Sequence, residues 1–260
     1  MVCALLLVAR TESAPAGPPV ATQATLTTPT SVSTSLTLRD GRAVRLVGLG
    51  ERTAPLLHRI SAELDDAADA VSAFWGPDWP REIVVVAAGT DAQFAAVGGG
   101  DSHTAATTTG ERIMFAPGAV QMNDDSLRIV LRHELFHYAT HSETAADAPR
   151  WLTEGVADYV GRPPTPPLAN SAMMAQQGLP TDAELSGVER SLAYDRAWWF
   201  SRFVSAVYGP AALRSLYVRA CGHGHPDLAA AVQDTLGTDV AGLLIAWRQW
   251  LERGHRTPGG

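Results

Sequence analysis

The sequence predicts an α+β fold, with a small mixed or antiparallel N-terminal sheet and its helices followed by a mostly helical C-terminal lobe. Three observations predict it. Short β-branched or alternating apolar runs all fall before residue 117, punctuated by Asp40-Gly41, Gly76-Pro77 and Pro117-Gly118. From residue 124 onward, apolar side chains recur instead at three- and four-residue intervals. Between the two regimes stands His133-Glu134-Leu135-Phe136-His137, where ionisable groups interrupt a helical pattern.

At 260 residues the chain is long enough to bury a core as one large domain or two closely packed lobes. The reading divides it into a leading segment over 1–35, an α+β lobe over 36–142, a helical lobe over 143–253 and a disordered tail over 254–260. Net charge is -7, from 27 acidic and 20 basic residues, and every basic residue is Arg. An acidic balance without a basic stripe argues against nucleic acid as a partner. Residues 2–9 are apolar but too few to span a bilayer. They resemble the hydrophobic part of a signal peptide that lacks its basic start, with Ser13-Ala14-Pro15-Ala16 as the small-residue cleavage region. Residues 11–35 are rich in Ser, Thr, Pro and Ala and read as a disordered tether. An extracellular or cell-surface location is therefore favoured over the cytoplasm, with no membrane span. With Cys3 in the leading run, Cys221 has no intrachain partner for a disulfide.

The elements follow in order. Alternation in Leu36-Thr37-Leu38 and Val44-Arg45-Leu46-Val47 around Asp40-Gly41 predicts a hairpin. Leu56, Leu57, Ile60, Leu64, Ala67, Ala68, Val71 and Phe74 predict an amphipathic helix over 55–75, ended by Gly76-Pro77. Residues 83–87 read as a short strand, and 90–96 as a brief helix with a Thr cap. Gly98-Gly99-Gly100 lacks phosphate-loop spacing and reads as a turn. Residues 103–109 and 111–116 read as two strands joined at Gly110. This hairpin either offers an edge strand to an extended peptide or is an ordinary solvated hairpin. Asn123 or Asp124 caps a helix over 124–141, and a further helix runs from the Glu154 segment to about Val160. Proline-rich residues 163–167 make a stiff crossing, with a short helix around 172–177 and a loop over the site after it. Helices then fit 192–208, 211–220, 227–236 and 239–253.

On a helix, His133 and His137 lie one turn apart and point the same way, so both imidazoles reach one ion, with Glu134 beside them as a base for a water on the metal. A catalytic zinc site takes three protein ligands and leaves the fourth position open. Glu154 follows after sixteen intervening residues (138 to 153), and Asp158 shares its face one turn later. Glu154 is the expected third ligand, and Asp158 the acceptor for the far nitrogen of a ligand imidazole. His141 lies about 12 Å along the axis from His133, too far to share an ion. Glu143 is a reserve ligand, and Cys221-Gly222-His223-Gly224-His225 reads as a loop.

These residues resemble the gluzincin metallopeptidases, in particular the peptidase MA-like domains. The matching positions are Leu131, His133, Glu134, Leu135 and His137, then Pro149, Trp151, Leu152, Glu154, Gly155, Ala157 and Tyr159. The similarity is specific over 131–159 and extends weakly over about 80–252. It implies a zincin-like fold, one Zn2+ held by His133, His137 and Glu154, Glu134 as general base, Asp158 behind the ligands, and a peptide or protein substrate. The Gly-x-Met-Glu-Asn segment of the related aminopeptidases is missing from the sequence, which favours an endopeptidase.

The expected chemistry is attack of a zinc-bound water on a peptide carbonyl, with Glu134 moving the proton. Related gluzincins commonly supply a Tyr or His from the downstream helices to the oxyanion, and Tyr194 matches that position. Its plainer reading is a core or rim aromatic, and Tyr159 is a rival with the wrong helix phase. The alternative function is a catalytically inactive or structural zinc-containing extracellular binding module.

Overall fold

The expected hairpin forms around Asp40-Gly41: β1 (Ser31–Thr37) and β2 (Ala43–Leu49) pair antiparallel, with Thr37 opposite Ala43. Gly41 takes φ 86°, a left-handed turn conformation that glycine adopts without steric cost. The structure, a computed structural model, describes residues 31–96, 104–165 and 178–254. β1 thus begins at Ser31, inside the stretch expected to be linker. The apolar run at 2–9, the Gly98-Gly99-Gly100 turn, the helix around 172–177 and the tail beyond residue 254 lie outside the described residues.

α1 (Ala54–Trp75) carries the chain from β2 to β3 (Glu82–Ala88), which pairs parallel with β2. A parallel pair needs such a crossover, because a tight turn cannot join strands running the same way. The predicted apolar stripe is buried, with Ile60, Leu64 and Val71 fully covered. Its last buried position belongs to Trp75 rather than Phe74. Phe74 is half-buried and meets Tyr159 edge-on at 5.4 Å between ring centres.

After α2 (Asp91–Ala96), with its Gln93 amide held by the Thr90 hydroxyl, come β4 (Ala106–Thr108) and β5 (Ile113–Phe115). β5 joins β3 in parallel, and β4 pairs antiparallel outside it. The mixed sheet therefore runs β1-β2-β3-β5-β4, with β4 at one edge. One face carries Val44, Leu46, Ile83 and Val85 into the main core. Val86, Ala88, Met114 and Ala116 form a smaller cluster with Phe94 of α2.

α3 (Asp124–Thr140) starts where Asn123 accepts a hydrogen bond from the Ser126 amide at 2.8 Å. Such a cap contributes about 1 kcal/mol. Leu127, Leu131 and Leu135 are buried, and Arg128 pairs with Glu63 of α1 at 2.8 Å. Tyr138 donates to the Glu82 carbonyl at 2.7 Å, fixing the far end of α3 against β3.

The remainder is helical: α4 (Arg150–Gly161), α5 (Arg190–Tyr208), α6 (Pro210–Cys221), α7 (Leu228–Leu236) and α8 (Val240–Gly254). α5 begins slightly earlier than its apolar pattern, after a 3-10 turn at Glu184–Ser186. Gly155 lets α4 and α5 touch: a Cβ there would lie 2.6 Å from the Ala197 carbonyl oxygen. Gly161 does the same toward α3, where a Cβ would meet the Ile129 carbonyl oxygen at 2.9 Å. One cluster of buried side chains runs from Leu38 to Leu251, so sheet and helices share a core. Among the described residues, no single helix is long and apolar enough to cross a membrane.

Candidate metal centre

The i, i+4 spacing of α3 brings the two imidazoles together, with His137 Nε2 3.1 Å from His133 Nε2. α4, held close by Gly155 and Gly161, turns Glu154 toward them. Its Oε2 lies 3.2 Å from His133 Nε2 and 3.7 Å from His137 Nε2. Donors about 2.05 Å from a tetrahedral zinc ion lie about 3.3 Å from one another. The three separations bracket that value, and two nitrogens with one carboxylate are a common zinc donor set. His133, His137 and Glu154 thus form a three-residue cluster fitted to one Zn2+.

The surroundings orient these donors. Asp158, a turn beyond Glu154, places Oδ1 3.0 Å from His133 Nδ1. An ionised carboxylate only accepts, so Nδ1 carries the hydrogen and Nε2 is left to the metal side. Arg162 reaches the other Asp158 oxygen at 2.6 Å and Asp195 at 2.7 Å, with its guanidinium 4.9 Å from the Trp198 ring. Burial opposes charge on the His133 ring, but Asp158 and Glu154 outweigh it and hold its pKa well above the usual value. Burial also opposes an ionised Glu154, and His133 and His137 overcome it to hold that carboxyl well below its ordinary range.

Glu134 is buried beside the imidazoles, and its Oε2 accepts from the Thr108 hydroxyl at 2.7 Å. Thr108 belongs to β4, the edge strand among the described residues, so the Glu134 carboxylate and that strand are in direct contact. Tyr194 is near the cluster. Its oxygen accepts from Arg150 Nη2 at 3.3 Å, and Arg150 Nε stands 3.5 Å from Glu154 Oε1. Burial, then the Glu154 charge, raises the Tyr194 pKa, so the phenol keeps its proton at neutral pH. Tyr159 points elsewhere, with its hydroxyl 2.8 Å from Ser205 Oγ.

The reserve candidates stay apart. Glu143 is exposed, and the exposed His141 lays its ring against Gly110. In the 221–225 segment Cys221 is buried, His223 Nε2 lies 3.0 Å from the Ser142 carbonyl, and His225 Nδ1 lies 2.9 Å from that of Pro226.

Four further residues shape the centre without having been singled out in the sequence. Arg150 and Arg162 each stand four residues from an acid of the set, and helical charge pairing was the available signal. Thr108 and Asp182 gave none. Asp182 accepts from the Arg150 and Trp151 amides at 3.0 and 2.8 Å, capping α4 from a distant segment. Pro149, the local cap residue, provides no side-chain hydrogen bond there.

Residues 82–145 match the family model described as eCIS core domain, a stretch running from β3 through the His133–His137 helix. No curated protein matches the sequence. Among solved structures, a two-domain M1 zinc metallopeptidase bound to L-arginine is similar, with TM-score 0.52 and 18% identity over 85% of this chain and 51% of that one. Aminopeptidase A of Legionella pneumophila, in complex with aspartic acid, is similar with TM-score 0.53 and 14% identity, over 85% of this chain and 28% of that one. The chain spans about half of the first structure and under a third of the second. Its fold is the gluzincin-like M1 metallopeptidase fold, a mixed sheet with helices followed by a mostly helical lobe.

Proposed function

We propose that the protein is a zinc-dependent peptidase, an endopeptidase, with Glu134 as general base and Tyr194 as oxyanion donor. The observation that carries this reading is the placement of Glu134 beside the His133–His137–Glu154 donor set, with its carboxylate braced by Thr108. A structural zinc site is normally closed by a fourth protein ligand, and three donors meet here among the described residues.

Zn2+, when bound, would supply Lewis acidity, making a water more acidic and polarising a carbonyl. The residues do the rest. Glu134 Oε2 takes one proton from the attacking water as its oxygen bonds to the scissile carbonyl carbon. The Tyr194 hydroxyl donates to the oxygen on which charge develops. Glu134 then passes the proton to the departing nitrogen as the C–N bond breaks, leaving a carboxylic acid, whose remaining proton passes to the released amine. Asp158 holds His133 in one tautomer throughout. An extended substrate added along β4, the edge strand among the described residues, would pass Glu134, whose carboxylate Thr108 of that strand already touches. Such pairing reads backbone rather than chain ends, which supports an endopeptidase.

The test is metal content together with cleavage of a mixed peptide library, for wild type and Glu134→Gln. The wild type should hold zinc and cut internal bonds, and the variant should hold zinc and cut almost nothing, because Gln cannot accept the proton. Equal turnover in both would sink the assignment of the base.

A further inference from the structure

We propose that Arg150 is a positioning residue: it holds the Tyr194 phenol so that the Tyr194 hydrogen is directed away from the guanidinium and toward an oxygen in the cleft. The inference deepens the reading of Tyr194 as oxyanion donor and rests on it.

The geometry is that of a three-way brace. Arg150 Nη2 donates to the Tyr194 oxygen at 3.3 Å, Nη1 donates to Ser186 Oγ at 3.2 Å, and Nε faces Glu154 Oε1 at 3.5 Å. A guanidinium only donates, so the Tyr194 oxygen must accept on that side. A phenolic hydrogen lies near the ring plane on one of two sides. With a donor on one, the hydrogen takes the other.

The same guanidinium touches the Glu154 oxygen other than Oε2, which faces the histidines. One side chain therefore fixes the spacing between the third metal ligand and the phenol. Arg150 is suited to this because its planar fork serves several acceptors at once, which a lysine ammonium on a flexible stem does not. Its backbone amide is held independently by Asp182 at 3.0 Å, so changing the side chain leaves that cap in place.

The test is a double-mutant cycle on the zinc-loaded protein, with Arg150→Ala, Tyr194→Phe and the pair. It is read by the affinity of a phosphinic pseudopeptide, whose tetrahedral oxygens stand for the developing oxyanion, and by kcat on a cleaved peptide. Arg150→Ala should weaken pseudopeptide binding and lower kcat by about 10-fold or more, the range usual for a group that orients another. The double variant should be within about 3-fold of Tyr194→Phe alone, because Arg150 acts through that hydroxyl. Zinc affinity by chelator competition should be unchanged or tighter in Arg150→Ala, since a cation near Glu154 has been removed. Arg150→Lys should recover little of the loss, and it carries the cycle should Arg150→Ala fail to fold.

Losses that multiply in the double variant, an Arg150→Ala protein that binds the pseudopeptide normally, or one that sheds zinc would each overturn the proposal. A wild type that binds the pseudopeptide with the coupling intact yet cuts no peptide overturns the peptidase reading and upholds the brace. A wild type that binds zinc but not the pseudopeptide overturns both.

Discussion

The Thr108 hydroxyl donates to Glu134 Oε2 at 2.7 Å, joining the last residue of an edge strand to the acid between the two histidines of the donor set. Such a contact limits rotation about the Glu134 side-chain bonds, which suits the role of base proposed for it. Thr108→Ala should lower kcat by about 10-fold while zinc content is unchanged, and Thr108→Ser should restore most of it. Steady-state kinetics beside metal analysis decide this; a Thr108→Ser protein as slow as Thr108→Ala would show that the methyl group matters, not the hydroxyl.

Glu154 completes the donor set, and Glu143 stands exposed outside it. Purified wild type should carry about one zinc per chain. Glu154→Ala should lose most of that metal and Glu143→Ala none. Asp158→Asn should weaken zinc binding by about 10- to 100-fold, the usual size for a group behind a ligand. Full occupancy in Glu154→Ala, by elemental analysis after dialysis, would displace Glu154 from the ligand set.

Tyr194 reaches the cluster through Arg150, and its phenol is half-buried against the core. Tyr194→Phe removes one oxygen and keeps the ring. We expect kcat to fall about 100-fold, with zinc content and Tm held, as for loss of one oxyanion donor. A lower Tm with normal turnover would make Tyr194 a packing residue.

Gly155 lies where α4 and α5 approach through backbone. A methyl group placed 2.6 Å from the Ala197 carbonyl oxygen forces the helices apart. Gly155→Ala should destabilise the fold by about 1–3 kcal/mol, as overpacking does, and weaken zinc binding because α4 carries Glu154. Urea unfolding of the zinc-free protein separates the two effects. An unchanged midpoint there would show that the interface can open at little cost.

Local signals in the chain were legible, and distant pairings were not. The i, i+4 histidines, the Asp40-Gly41 hairpin and the stripe from Leu56 to Val71 each depend on neighbours a few residues away, and each is found as expected. The Trp151–Tyr159 segment was legible through its resemblance, and Gly155 supplies a physical reason for one of its positions. The parallel pairing of β3 with both β2 and β5 is a matter of topology that no local pattern encodes. Phe74 and Trp75 are adjacent aromatics at the end of a helix, and which of them is buried depends on what packs there: Trp75 meets Tyr217 of α6 at 5.4 Å between ring centres. Thr108 and Asp182 escaped for a related reason. A single hydroxyl or carboxylate acting 26 or 32 residues away leaves no periodicity to read.

The cap that Asp182 places on α4 has a consequence for observing the protein at rest. Its neighbourhood is pinned by Arg196, which pairs with Glu184 at 2.7 Å and donates to the Gly178 carbonyl. The Arg150 and Trp151 amides consequently exchange their hydrogens with solvent only when this segment lifts away from the start of the helix bearing Glu154. Those two positions are built-in reporters. Their hydrogen–deuterium exchange, followed in the intact chain, times how often the Asp182 segment lifts off the start of α4, with no substrate required.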